Sequence, residues 1–303
     1  MAAEGRGVTV RRVRRLQRAG AAAPQATGAA GEGVAPPDET AAGLLVDDEL
    51  AIEEPLEIKV DGDTLAITMR TPGGPGEDER LALGFLFAEG VLASRDDLVR
   101  INHCGRPGTP EAANVLDVIP AGGARLDLDR ISATRRGTLT TSACGVCGRR
   151  TIDDVIARVP KVPARELSAA LLFAAVDALR SHQPRFARTG GLHGACVVDA
   201  TGVLAAAEDV GRHNAVDKVV GALLLAGAVP PPAGAPPRVL AVSGRASFEL
   251  VQKAAASGCA AVASVSAPSS LAADLAEASG LVLAGFVRGG GLNLYAGAAR
   301  VVA

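Results

Sequence analysis

The stretch VLAVSGRASFELVQKAAASGCAAVASV, residues 239–265, decides the fold. Val239 to Val242 is a short apolar run with no polar alternation, the pattern of a strand buried on both faces. Ser243-Gly244-Arg245 breaks it. Ala246 to Ser257 then reads as a helix, ended by Gly258, and Cys259 to Val265 as a second strand. Beyond the stretch, Ser269 or Ser270 can cap another helix that stops at Gly280, and Leu281 to Phe286 repeats the buried strand. Strand, helix, strand, helix, strand implies parallel pairing through right-handed crossovers, an α/β fold.

Upstream, Ser168 can cap a helix running to about Ser181. Ala195 to Asp199 and Val203 to Ala207 flank Thr201-Gly202 as a hairpin. Arg212 to Leu225 reads as a helix with Val216, Val219, Val220 and Leu223 on one face. Residues 226 to 237 form a Pro-rich surface loop. The first half is strand-rich. Glu57 to Met69 alternates apolar and polar residues about Asp61-Gly62-Asp63, a hairpin signal. Glu79 to Leu92 suits a helix, and Val115 to Ile119 and Leu126 to Ile131 suit strands. Order begins near Leu44. Residues 6 to 18 hold six arginines, read as an edge strand or a basic tail rather than a partner-binding arm, and residues 19 to 42 as a flexible Ala, Gly and Pro insert.

The chain has 303 residues, 48% of them apolar, with no Trp and one Tyr. Its core is therefore built from Ala, Val and Leu. A net charge of -2 argues against a general nucleic-acid binder or a membrane-surface protein. The start lacks the apolar run of a secretory signal, and no apolar run is long enough to span a bilayer. Five cysteines, Cys104, Cys144, Cys147, Cys196 and Cys259, form an odd set without such a signal. That points to a reducing, cytoplasmic compartment.

Thr140 to Arg150 carries the sharpest chemical signal. Cys144 and Cys147 stand three apart between glycines, and Arg135, Arg136, Arg149 and Arg150 flank them. Positive charge favours thiolate, the nucleophilic form, and a helix starting near Thr151 would add its dipole. Three chemistries use such a pair. A structural zinc site needs four ligands, and only His103-Cys104 could complete it. Thioredoxin-like exchange expects the pair at a helix start within a βαβ unit, whereas here the parallel units follow it. Sulfur carriage needs one thiolate to take and pass on sulfane sulfur. Spacing alone does not choose among them. Cys104, Cys196 and Cys259 read as structural.

Other candidates cluster downstream. His193 lies between a glycine turn and a strand. Zinc deaminases require His-x-Glu and a later Pro-Cys-x-x-Cys; Ala195 occupies the Glu position and the only CxxC comes earlier, so no metal site is expected. Glu208 to Lys218 gathers Glu208, Asp209, Arg212, His213, Asn214, Asp217 and Lys218 at a loop and helix start, a density that marks functional sites. Ser243, Gly244 and Arg245 follow a parallel strand and suit an anion. Phe286, Val287, Arg288, Gly289, Gly290 and Gly291 follow the last buried strand. There open backbone and a guanidinium suit a phosphate.

Together these motifs resemble the formate dehydrogenase accessory sulfurtransferase family, FdhD. The matching pieces are Glu53-Glu54-Pro55-Leu56, Thr68 to Gly73, Gly84-Phe85-Leu86 to Gly90, Thr141 to Gly148, Thr189 to His193, Glu208 to Lys218, Ser243-Gly244-Arg245 and Gly285 to Arg288. They run in family order over residues 44 to 296. Gly194, where Ala is commoner, and inserts at 19 to 42, 73 to 78 and 226 to 237 depart from the family.

The resemblance implies a cytidine-deaminase-like three-layer α/β domain with a smaller strand-rich N-terminal domain. Four parts are expected: a tail at 1–43, the strand-rich domain at 44–135, the CxxC loop and a connecting helix at 136–165, and the α/β domain at 166–303. It implies that Cys144 carries a persulfide received from a cysteine desulfurase, with Cys147 assisting. The sulfur leaves to a molybdenum bis(guanine dinucleotide) cofactor destined for formate dehydrogenase. Expected cofactor contacts are Phe286 to Gly291 with Ser243, Arg245, His193 and Arg212, and guanosine diphosphate serves as a surrogate ligand. A homodimer is expected. The rival functions are a cofactor chaperone without sulfur chemistry and a thiol-disulfide oxidoreductase.

Overall fold

The computed structural model describes residues 7–15, 44–121 and 159–302. Cys144, Cys147, their flanking arginines, the strand expected at Leu126 to Ile131 and the helix expected near Thr151 lie outside these residues.

The α/β reading holds. Strands β8 (His193–Asp199), β9 (Gly202–Asp209), β10 (Val239–Val242), β11 (Ala261–Ser264), β12 (Val282–Arg288) and β13 (Gly291–Ala296) form one sheet in the order β13-β12-β11-β10-β8-β9. β10, β11 and β12 are parallel, and the outer pairs are antiparallel. Alternate residues of β10 face opposite ways. Leu240 and Val242 pack with α4 (Arg212–Leu225), α5 (Phe248–Ala256) and α6 (Ser270–Ser279), while Val239 and Ala241 pack with α2 (Ala169–Ser181). Helices thus cover both faces, which is why β10 reads as a continuous apolar run. Ser168 caps α2 by accepting from Leu171 N (3.2 Å), and Ser269 caps α6 by accepting from Ala272 N (3.3 Å).

The last strand departs from expectation. It does not end at Phe286 but continues to Arg288, turns through Gly289 and Gly290, and returns as β13. Both turn glycines have positive φ, 60° and 77°, as a two-residue primed hairpin turn requires. Phe286 to Gly291 is therefore a strand end and hairpin tip rather than an open loop.

The N-terminal sheet has the order β4-β3-β6-β5, from β3 (Glu54–Val60), β4 (Asp63–Arg70), β5 (Leu98–His103) and β6 (Val115–Pro120). The expected β3–β4 hairpin is present, and β6 lies parallel to β3. Helix α1 (Glu77–Ala88) starts two residues before the expected Glu79 and stops short of Leu92, where Gly90 turns the chain at φ 70°. Leu81, Leu83 and Leu86 of α1 are buried with Leu56, Ile58 and Leu116. The arginine-rich segment takes the strand alternative: β1 (Val8–Arg15) pairs antiparallel with β2 (Leu44–Ala51).

Candidate functional site

The candidate residues gather where β9 and β10 end and β8 begins. His193, the first residue of β8, pairs with Asp209, the last of β9. Because β8 runs antiparallel to β10, His193 also lies beside the segment that leaves β10. Ser243 ties the two together: its backbone N–H donates to Gly194 O (3.0 Å), and its hydroxyl accepts from Gly194 N (2.9 Å). The His193 ring rests over Gly244, where an added Cβ would stand 3.4 Å from Nδ1. The next loops join the same edge. Ser264 Oγ donates to Gly244 O (2.7 Å), and Phe286 N donates to Ser266 O (3.1 Å).

Arg212 and His213 open α4 on the same face of the sheet. Burial lowers the His193 pKa, and the nearby charges of Arg212 and His213 lower it further against Asp209, so the His193 ring is neutral at neutral pH. His213 Nε2 lies 2.9 Å from Glu249 Oε2 and 3.3 Å from Ser247 Oγ. A carboxylate only accepts, so Nε2 of His213 carries a proton that points at Glu249 of α5. His213 and Ser247 stood within motifs singled out in the sequence without a role of their own, whereas Glu249 read only as part of the helix after Ala246.

The structure divides the Glu208–Lys218 motif. Lys218, 1% exposed, donates to Thr71 O and Glu208 O (3.2 Å each) and pairs with Asp209 (2.8 Å) and Glu77 (3.1 Å). Asp209 accepts from Thr71 N (3.2 Å) and Asn214 Nδ2 (2.9 Å), and Asn214 also donates to Met69 O (2.7 Å). Glu208 accepts from Arg185 N and Phe186 N (3.0 and 2.7 Å) at the start of α3 (Pro184–Thr189). These residues clamp the end of β4 onto the α/β sheet. Asp217 pairs with Lys253 of α5, and burial pushes its carboxyl up to about 6 against the pull of that ammonium. Only Arg212 and His213 of the motif turn toward the site edge.

The remaining expected residues fall unevenly. Arg245 and Arg288 are exposed. Arg288 lies over the Phe286 ring at 5.5 Å, within cation–π range. Phe286 has φ 54°, left-handed backbone at a non-glycine residue, a conformation that costs free energy and clusters at functional sites. Val287 packs in the α2-side core, so only its backbone could meet a ligand. Gly194 is packed closely by a neighbouring side chain. A Cβ there would lie 2.7 Å from the buried Gln183 side chain, which takes that space.

Among the described residues no cluster of three or more His, Cys, Asp and Glu is arranged to hold a metal ion, and no helix is long and apolar enough to cross a membrane. Cys196 and Cys259 are buried, and burial pushes their thiols up to about 12 and about 11. Neither is a thiolate at neutral pH. Cys104 is exposed.

The FdhD/NarQ family profile matches residues 51–302. The chain belongs to the FdhD/NarQ family. It is 56% identical over 263 residues to the sulfur carrier protein FdhD of Anaeromyxobacter sp. (strain K), covering 86% of this chain and 90% of that one. It is 47% identical over 262 residues to the sulfur carrier protein FdhD of Mycobacterium tuberculosis (strain ATCC 25618 / H37Rv), covering 83% and 91%. The fold matches a crystal structure from Desulfotalea psychrophila described as a formate dehydrogenase accessory protein. The TM-score is 0.68 and the identity 21%, over 98% of this chain and 100% of that one. Of the motifs quoted above, Thr68 to Gly73 and most of Glu208 to Lys218 form the clamp on β4, Thr189 to His193, Ser243 to Arg245 and Gly285 to Arg288 meet around His193, and Thr141 to Gly148 lies outside the described residues.

Proposed function

We propose that this protein is a sulfur carrier serving formate dehydrogenase, with Cys144 as the persulfide-bearing residue. The observation that carries the reading is the partition of the cysteines. Two of the five are buried thiols held far from ionisation. The Cys144–Cys147 pair is flanked in sequence by four arginines, whose charge would favour thiolate. Relatives sharing about half of the sequence are named sulfur carrier proteins.

In the proposed loading step, Cys144 thiolate attacks the outer sulfur of a cysteine desulfurase persulfide. A new S–S bond forms on Cys144, the donor's S–S bond breaks, and its electron pair leaves on the donor cysteine as thiolate. The Cys144 S–S bond then breaks, the cysteine leaves as thiolate, and the sulfane sulfur passes to a molybdenum bis(guanine dinucleotide) cofactor, the substrate of the second half-reaction, whose metal supplies the two electrons that bring the sulfur to the sulfide level. The edge lined by Ser243, Arg245, Arg212, His193 and the Phe286–Gly291 hairpin supports a place for that substrate. Guanidinium groups and the starts of α4 and α5 suit phosphates there, and ligands of open α/β sheets bind beyond the carboxyl ends of parallel strands.

Mass spectrometry of the protein after incubation with desulfurase and cysteine tests the reading. A gain of one sulfur atom localised to the Cys144 peptide supports carriage. No gain, with cofactor binding retained, means a chaperone without sulfur chemistry. Reduction of insulin disulfides with ordinary reductants means an oxidoreductase.

A further inference from the structure

The β1–β2 ribbon has no role in the site described above. β2 is its inner strand, tied to the body by Arg188 of α3, whose Nε donates to Glu49 (2.8 Å), while Ile52 N donating to Gly7 O (2.8 Å) extends the β1–β2 pairing by one residue. β1 is its outer strand. Among the described residues β2 alone pairs with it, so alternate backbone N–H and C=O groups along β1 face away from every described strand.

The side chains on this edge are distinctive. Val8 to Arg15 contains four arginines and no acid, and Arg11, Arg12, Arg14 and Arg15 are all exposed. The register sets Arg11 opposite Asp48 and Arg12 opposite Asp47, but Arg14 and Arg15 stand opposite Leu45 and Leu44. Positive charge is therefore left in excess at the carboxyl half of β1. Apolar surface accompanies it: Val10 is 59% exposed and Leu45 57%. A two-stranded ribbon is marginal in water without further pairing. A second copy is a poor third strand, because β1 against β1 would set arginine beside arginine, a destabilising cross-strand pair.

We propose that the outer edge of β1 is a docking edge for an extended acidic segment of a partner protein, which joins the ribbon as a third strand. Main-chain hydrogen bonds supply the attachment and acidic side chains opposite Arg14 and Arg15 supply the selectivity, the logic of strand addition. The four arginines also keep the unoccupied edge from pairing with itself.

The test uses the full chain and a fluorescein-labelled extended peptide that alternates Glu or Asp with Val or Thr. Anisotropy should rise on titration, more weakly at high salt. A peptide with Lys in place of the acids should not bind. Arg14→Glu combined with Arg15→Glu should weaken the acidic peptide about tenfold, the scale of two reversed cross-strand pairs. Circular dichroism should be unchanged, since both positions are exposed. N-methylation of alternate peptide amides separates strand addition from bare charge attraction: lost binding supports the proposal, and retained binding overturns it. Equal affinity for the acidic and basic peptides also overturns it, as does a dimer in sedimentation that dissociates in the double variant. Sulfur loading of Cys144 is read on the same samples and is expected to be unchanged, so failure here is separate from failure of the carrier reading.

Discussion

Gly84 of α1 and Gly221 of α4 each face the other helix's backbone across one crossing. A Cβ on Gly84 would lie 1.9 Å from the carbonyl oxygen of Asp217, and one on Gly221 would lie 1.9 Å from that of Arg80. Backbone cannot swing aside as a side-chain tip can. This crossing carries the strand-rich sheet on the α/β domain, and on its α4 side it lies within one helix of Arg212 and His213.

Gly84→Ala and Gly221→Ala should therefore each destabilise the protein by about 2 to 3 kcal/mol, the range of overpacking a tight interface. Thermal unfolding followed by circular dichroism measures this. A melting temperature unchanged in both variants would mean that the helices separate at no cost and that the crossing does not hold the two parts together.

The clamp beside the crossing should respond to acid. Burial alone would raise the Glu77 pKa, but the hydrogen bond from Arg185 and the charges of Lys218 and Arg185 outweigh it and hold the carboxyl down, from 4.5 to about 2. A depressed folded-state pKa stabilises the fold fully above the unfolded value and loses that contribution as pH falls through the folded one. Glu77 should thus contribute up to about 3 kcal/mol above pH 4.5, fading toward pH 2. Denaturant unfolding of the native protein and Glu77→Gln should differ at pH 7 and converge near pH 2. A gap that is constant with pH would remove the ionic account.

Lys218 tests the same clamp from inside. Its ammonium is 1% exposed and faces Asp209, which is 0% exposed. Lys218→Met would leave that carboxylate buried without its cation, a loss of about 3 to 5 kcal/mol. Urea midpoints should show it. Asp209→Asn in the Lys218→Met background should recover part of the loss, because the uncompensated charge is then gone.

These residues mark where sequence reading ends. The β10–α5–β11–α6–β12 run was legible because each strand is buried on both faces and Gly258 and Gly280 stop the helices after it. β13 was not, because Gly289-Gly290-Gly291 reads as open loop and the alternation of Leu292 and Leu294 is short. Lys218, Asp209 and Asn214 could be noticed as a dense polar motif. Their contacts to Met69, Thr71 and Glu77 lie across about 140 residues of chain, and periodicity carries no such information. Arg212 and His193 were legible as candidates, whereas Glu249 acquires meaning only when α5 is packed beside His213.

Cys144→Ala should abolish sulfur acquisition while leaving the unfolding midpoint unchanged, because the glycine-flanked sequence around Cys144 reads as a loop and loops carry little packing energy. Cys147→Ala should slow transfer from Cys144 without preventing its loading. Intact-mass measurement after desulfurase treatment reads the loading, and single-turnover transfer to cyanide reads the release as thiocyanate. A fully loaded Cys144→Ala protein would move the persulfide to another cysteine, and Cys104 is the exposed one among the described residues.

Arg288 should discriminate the nucleotide end of the reaction from the sulfur end. In the free protein its guanidinium lies over Phe286, whose left-handed backbone is held by the Phe286 N–H to Ser266 O bond. A guanosine diphosphate at this edge would draw the exposed guanidinium onto a phosphate. Arg288→Ala should then weaken guanosine diphosphate binding by about 2 kcal/mol, the scale of a charge-assisted hydrogen bond. Calorimetry on both proteins measures it. Sulfur loading of Cys144 should be the same in the two, since the proposed loading step involves the donor persulfide and not the cofactor. Phe286→Gly removes both the ring and the left-handed strain, so it should raise the melting temperature if the strain is stored there. Unaltered nucleotide affinity in Arg288→Ala and Phe286→Gly together would place the nucleotide away from the β12–β13 hairpin.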